Sequence, residues 1–256
     1  MCIEYNIEIL NGVFNAAQDY LLSFDGVDEE AINSHLYEYN ARHNQINSLN
    51  DVYRGFLESA RSGRHMPNVI DNINALREHL FDFDPNSIIQ EYQNDYAMLF
   101  ARIAPPGTEN IPHNSWVKFC KSAISSANFL SQFNSFNDFS GFVNSFTANP
   151  LSRIGLPLLL KEEIFGFGFA LACDFIKENL SPEYIKPDTH IIDIFKGIGL
   201  SRQIASDYEI FKDAIRFSEI INKEPYVIDK LFWLIGSGKF YLNDFRINTL
   251  CLNIIE

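Results

Sequence analysis

Between residues 156 and 200 the chain reads LPLLLKEEIFGFGFALACDFIKENLSPEYIKPDTHIIDIFKGIGL, and no other segment constrains the fold as much. Apolar runs at helical spacing alternate with two short breaks, Gly166-Phe167-Gly168 and the linker Pro182 to Pro187. The expected order is a helix from Pro157 to Phe165, a tight turn, a helix from about Phe169 to Asn179, the linker, and a helix from Asp188. Glycine tolerates positive φ and lets another backbone approach closely, so the turn can point its N–H groups outward together. Amides ahead of the second helix add the positive end of its dipole, which suits a phosphate. Phe167 is expected to pin the turn, with Ile164, Phe165 and Leu171 packing the two helices together. Ile191, Ile192, Ile194 and Phe195 are the apolar positions of the third helix.

The remaining sequence also reads as helical, because strand-like alternation with Asn-Gly or Asp-Gly hairpins is almost absent. Asp28-Glu29-Glu30 looks like a capped helix start running to Tyr39. Leu49 to Ala60 places Val52, Phe56 and Leu57 at helical spacing, and Asn68 to Leu80 repeats the pattern. Asp84 to Ser87 is a turn into a helix over Ile88 to Ala101. Pro105-Pro106-Gly107 to Pro112 is a loop, and it suggests a boundary between an N-terminal helical region, 1–105, and a second region, 106–256. Trp116, Phe119, Ala123, Ile124, Ala127 and Leu130 lie on one stripe. Phe133, Phe136, Phe139 and Phe142 recur every three positions, as a core stripe or as an aromatic surface for stacking bases. Helices return from Ile204 to Phe240. The fold class is all-α.

Composition narrows the function classes. With 46% hydrophobic residues and 21% charged, the chain can bury a sizeable core. No window approaches the roughly 20 apolar residues of a membrane span. Met1 to Asn6 shows no basic stretch leading into an apolar run, so no secretory leader is expected. Cysteines 2, 120, 173 and 251 form no CxxC pair and no cluster. That argues against a zinc or iron–sulfur site and against a disulfide framework, and for reduced thiols in a cytoplasmic protein. Net charge is −13 and unevenly placed: residues 1–150 hold 8 basic and 18 acidic residues, net −10, and 151–256 hold 12 and 15, net −3. Duplex binding draws affinity from phosphate neutralisation, so the acidic half is expected to face away from any DNA.

The glycine turn followed by Pro187-Asp188-Thr189-His190 resembles the signature of the helix-hairpin-helix DNA glycosylase superfamily. In that signature a hydrophobic-Gly-hydrophobic-Gly turn precedes a Pro- or hydrophobic-Asp-x-His stretch. The family's catalytic lysine, when present, sits two places after the second glycine. Here that place is Ala170, and Asp188 lies 18 residues beyond it, an interval common in the family. The resemblance is clear over about 161–200, with the hairpin at about 156–180. It implies two helical subdomains with an active-site cleft between them, and double-stranded DNA as partner of a monomeric protein.

The resemblance also implies that Asp188 is the catalytic residue. It would face the sugar of a flipped nucleotide and stabilise the oxocarbenium-like transition state or help activate water. By its residue type alone, Asp188 also reads as the N-cap of the helix that it opens. Alanine at 170 leaves no amine for a Schiff base, so base release by water without strand cleavage is implied, unless Lys186 substitutes. The cysteine cluster of iron–sulfur members is missing. No cofactor is expected, a monovalent cation at the hairpin being the one ion allowed for.

Gly166, Phe167, Gly168, Phe169 and Ala170 are the implied DNA contacts of the hairpin. His190 is a further DNA contact or else a packed or surface histidine, and Asn128 is a candidate wedge or an ordinary helix position. Trp233 could line a base pocket or belong to the core. Lys161, Lys177, Lys186, Lys196 and Arg202 are candidate phosphate contacts. Three functions follow: a monofunctional glycosylase acting in base excision repair, a non-catalytic nucleic-acid- or protein-binding relative, and a phage-defence glycosylase acting on modified phage DNA.

Overall fold

The computed structural model describes residues 6–42, 46–62, 70, 72–108 and 114–248. They are mostly helical, with almost no sheet. The chain runs through α1 (Ile7–Leu22), α2 (Glu29–Leu36), α3 (Glu38–Arg42), α4 (Leu49–Ser62), α5 (Pro85–Tyr92), α6 (Tyr96–Ile103) and α7 (Ser115–Leu130). It continues through α8 (Phe136–Thr147), α9 (Pro150–Arg153), α10 (Gly155–Glu163), α11 (Phe169–Asn179), α12 (Thr189–Gly197), α13 (Asp207–Ile220) and α14 (Pro225–Ser237). Short 3-10 turns cover Ile73–Leu76 and Phe81–Phe83, and two-residue strands β1 (Lys239–Phe240) and β2 (Phe245–Arg246) pair antiparallel. Among the described residues no helix is long and apolar enough to cross a membrane.

Two compact units emerge, residues 1–43 with 176–256, and residues 44–175. The Pro105-Pro106-Gly107 loop therefore lies inside the second unit instead of dividing the chain at 105. The reason is packing: α4, α5 and α6 all rest on α7, and Tyr53 of α4 donates its hydroxyl to the Ala123 carbonyl of α7 at 3.2 Å. Helices α1 and α2 instead bury Leu10, Phe14, Leu21, Ile32 and Leu36 in the first unit, where both pack on α14.

Local chemistry places the helix ends. Asp28 and Asp84 cap α2 and α5 through their carboxylates, and Ser206 with Glu209 forms a capping box on α13. On α4, Val52, Phe56 and Leu57 are buried as their spacing predicts. The stretch expected as one helix over 88–101 is two. Gln93 and Asn94 have φ of 47° and 65°, and the Asp95 carboxylate then caps α6. Asn and Asp favour such caps and turns over helix interiors.

The 68–80 run falls partly outside the described residues. Its described part buries Ile70, Ile73, Leu76 and Leu80, yet forms only a 3-10 turn, which Asn72 caps through the Asn74 N–H. Three phenylalanines of the stripe form an aromatic cluster: Phe139 is buried, and Phe133 meets both Phe139 and Phe142 with ring centroids 5.2 and 5.1 Å apart.

Candidate functional site

The hairpin turn, with α10 and the start of α11, lies in the second unit. Helix α10 ends at Glu163, the chain turns through Ile164 to Gly168, and α11 begins at Phe169. Phe167 N–H donates to the Ile164 carbonyl at 3.1 Å, and the Gly168 carbonyl accepts from Ala172 at 3.0 Å. Phe167 is buried against Phe56 and Phe175, so it pins the turn as expected. Gly166 has φ of +81°, a conformation that side chains disfavour, and a Cβ there would lie 3.2 Å from the Ser122 Oγ. Gly168 has no such constraint, and a Cβ there would meet nothing within 4 Å. Both glycines are exposed, while Phe169 and Ala170 are half-buried on the first turn of α11. Ile164 is buried as expected, but Phe165 is 45% exposed.

Phe165 is nonetheless fixed. The Ser122 hydroxyl donates to its carbonyl at 2.6 Å, and its N–H donates to the Ser125 Oγ at 2.9 Å. Asn128 follows Ser125 by one turn of α7. With Asn94, Tyr96, Lys121, Ile124, Ser125 and Phe165 it lines a shallow cavity of about 340 Å³.

The first unit holds Asp188. It is the N-cap of α12 and is partly exposed. One carboxylate oxygen, Oδ1, accepts both cap hydrogen bonds, from His190 N at 3.0 Å and Ile191 N at 3.2 Å. Among the described residues nothing bonds its Oδ2. His190, on the first turn of α12, packs over Gly236 of α14, where a Cβ would lie 2.5 Å from the His190 Cβ. The histidine is half-buried there. Trp233 is half-buried, with its ring edge-on to Tyr241 at 5.7 Å.

Behind the loop that carries Asp188 lies a chain of buried charges. Lys186 N–H donates to Asp229 Oδ1 at 2.7 Å, and Lys177 Nζ lies 2.5 Å from Asp229 Oδ2. Lys177 also pairs with Glu178 at 3.1 Å, and Glu178 pairs with Lys230 at 2.9 Å. Lys230 donates to the Tyr241 hydroxyl at 2.9 Å, and that hydroxyl donates to Glu38. Both ammoniums lie over the ring of Tyr226, at 5.9 and 5.1 Å from its centroid.

Burial raises the Asp229 carboxyl above the usual range, and repulsion from Asp188 adds to this against the pull of Lys177. Burial alone would also raise Glu178, but Lys177 and Lys230 outweigh it and bring its carboxyl down to about 2. Lys177 is 3% exposed and committed to these carboxylates, so it is not the phosphate contact that its sequence position suggests. Lys161 pairs with Glu162 and Arg202 with Glu209.

This network is not among the sequence-based expectations. Its signal was present in α14, where Asp229-Lys230 interrupts PYVIDKLFWLIGS, because two charges in an otherwise apolar helix must pair when buried. Cys120 and Cys173 are buried, and burial pushes the Cys120 thiol up to about 12. Cys2 and Cys251 lie outside the described residues. Among the described residues no three His, Cys, Asp or Glu side chains gather as metal ligands.

No family model matches the chain, and no curated protein or solved structure is significantly similar to it.

Proposed function

We propose that the chain is a monofunctional DNA glycosylase, which hydrolyses the N-glycosidic bond of a flipped, damaged or modified base and leaves an abasic site. The observation that carries this reading is the state of Asp188. One of its oxygens is spent on the cap of α12, and the other is uncommitted at a partly exposed position. A cap needs only one acceptor. The second oxygen is available to a substrate, and it follows the glycine turn at the interval of the glycosylase signature.

In this reading positive charge builds at C1′ as the C1′–N bond breaks. The Asp188 carboxylate stabilises that charge, or takes a proton from the water that attacks C1′. The base departs with the bonding electron pair. Alanine at 170 offers no amine to the sugar, so the strand is not cut. Exposed Gly166 and Gly168 let a phosphodiester approach the hairpin backbone closely.

A screen over duplexes with alkylated, deaminated, oxidised and hypermodified bases, phage DNA included, tests the reading. Abasic sites on at least one class, with strand breaks only after alkali, are expected. No product on any class would favour a non-catalytic nucleic-acid- or protein-binding relative. That second reading has its own support, since Glu162 and Glu163 are exposed immediately before the turn, where a phosphate contact would prefer cations. Product on modified phage DNA alone would support a defence role.

A further inference from the structure

We propose that Phe165, Lys121 and Tyr96 form a stacking subsite for one unpaired nucleotide of a DNA strand, the rings taking the base and the ammonium its phosphate. This rests on the reading that the hairpin meets DNA.

An exposed phenylalanine costs free energy to keep in water, and the Phe165 backbone is held by bonds on both sides. Ser122 fixes its carbonyl and Ser125 its N–H, at 2.6 and 2.9 Å. The ring is therefore presented on a rigid backbone, which lowers the ordering cost of stacking. Tyr96 is 38% exposed. The Lys121 ammonium sits 4.7 Å from the Tyr96 ring centroid and 5.2 Å from that of Phe165.

Among the described residues no carboxylate pairs with Lys121, unlike Lys161, Lys177 and Arg202. In a chain of net charge −13 such a cation beside two open rings suits an anion that carries a π-face. A nucleotide is that chemistry: its base stacks on a ring, its phosphate meets the ammonium, and the Asn128 amide in the same cavity can bond the base edge. The volume of about 340 Å³ is at the low end for small-ligand sites, which suits one nucleotide.

Binding of a fluorescently labelled single-stranded thymidine oligonucleotide, followed by anisotropy over a salt series, tests the subsite. Phe165→Ala is expected to weaken binding about 5- to 100-fold. Lys121→Gln is expected to lower the slope of log affinity against log salt by about 0.7. Lys161→Gln, outside the cavity, should leave the affinity lowered only by its own charge and not by loss of stacking. Phe165→Leu keeps an apolar side chain without the ring, and it should weaken binding as Phe165→Ala does.

Photocrosslinking with a 5-iododeoxyuridine strand is expected to give adducts on the Phe165 or Tyr96 peptide. Unchanged affinity in both Phe165 variants, adducts only elsewhere, or no binding by the unmodified protein would each overturn the subsite. Base excision from duplex DNA is scored separately, so the subsite can fail while the glycosylase reading stands. The reverse outcome, binding without excision, would sustain the subsite alone.

Discussion

Asp229 Oδ1 accepts the backbone N–H of Lys186 at 2.7 Å, two residues ahead of Asp188. The loop that presents the candidate catalytic carboxylate is thus anchored from within the core by a second carboxylate, which Lys177 neutralises at 2.5 Å. Rigid support of this kind holds a reacting group in place without contact to substrate. Removing Lys177 by Lys177→Met would leave Asp229 buried and without its nearest cation. Such a break is expected to cost about 3–5 kcal/mol in denaturant unfolding. Hydrogen exchange at the Lys186 amide should accelerate in the same variant. Full stability and unchanged exchange would show that the pair does not anchor the loop.

His35 gives the first unit a pH dependence with a definite sign. Its Nδ1 bonds the Ala31 carbonyl at 2.8 Å, and its Nε2 accepts the Leu242 N–H at 3.2 Å. That pair of bonds requires the neutral ring with its proton on Nδ1. Burial lowers its pKa, against smaller raising effects from the Ala31 bond and Glu38. The unfolded chain therefore binds a proton that the folded one refuses. This contribution is fully present above about pH 6.5 and is lost as the pH falls below that value. Unfolding free energies measured from pH 8 to 5 should decline in this window, and His35→Gln should flatten the decline.

The two hairpin glycines differ in what they require. Gly166→Ala places a side chain at φ of +81° and is expected to cost about 1–2 kcal/mol. Gly168→Ala meets nothing within 4 Å and should change stability by less than about 0.5 kcal/mol, while weakening DNA binding by crowding a strand that approaches the backbone. Thermal melts and binding of an abasic-analogue duplex separate the two effects.

Much of this was legible in the residues. The helices flanking Gly166-Phe167-Gly168 and the Asp188 cap follow directly from apolar spacing and cap chemistry. What was not legible depends on tertiary packing. The division of the chain is set by α7, which buries α4 to α6, and not by the Pro105-Pro106-Gly107 loop. The break at Gln93 and Asn94 was written in Asn94-Asp95, but the apolar spacing on either side runs through it. Lys177 looks like any surface lysine until α14 brings Asp229 to it. Phe165 looks like core until its exposure and the Ser122 and Ser125 bonds to its backbone are seen.

His190 and Gly236 are matched. Alanine is normally preferred in a helix over glycine by about 1 kcal/mol. At 236, however, a Cβ would lie 2.5 Å from the His190 Cβ. Gly236→Ala is expected to destabilise by about 1–3 kcal/mol, and His190→Gly in the same chain, which removes the opposing Cβ, should recover part of the loss. Additive effects in the double-variant cycle would contradict the contact.

Asp188→Asn tests the central claim most directly. Asparagine caps a helix about as well as aspartate, so the melt should be unchanged, but the carboxylate charge is gone. On a duplex that the unmodified protein converts to an abasic product, the variant is expected to bind normally and release no base. Base release by Asp188→Asn at the unmodified rate would contradict the assignment and leave Asp188 as a helix cap alone.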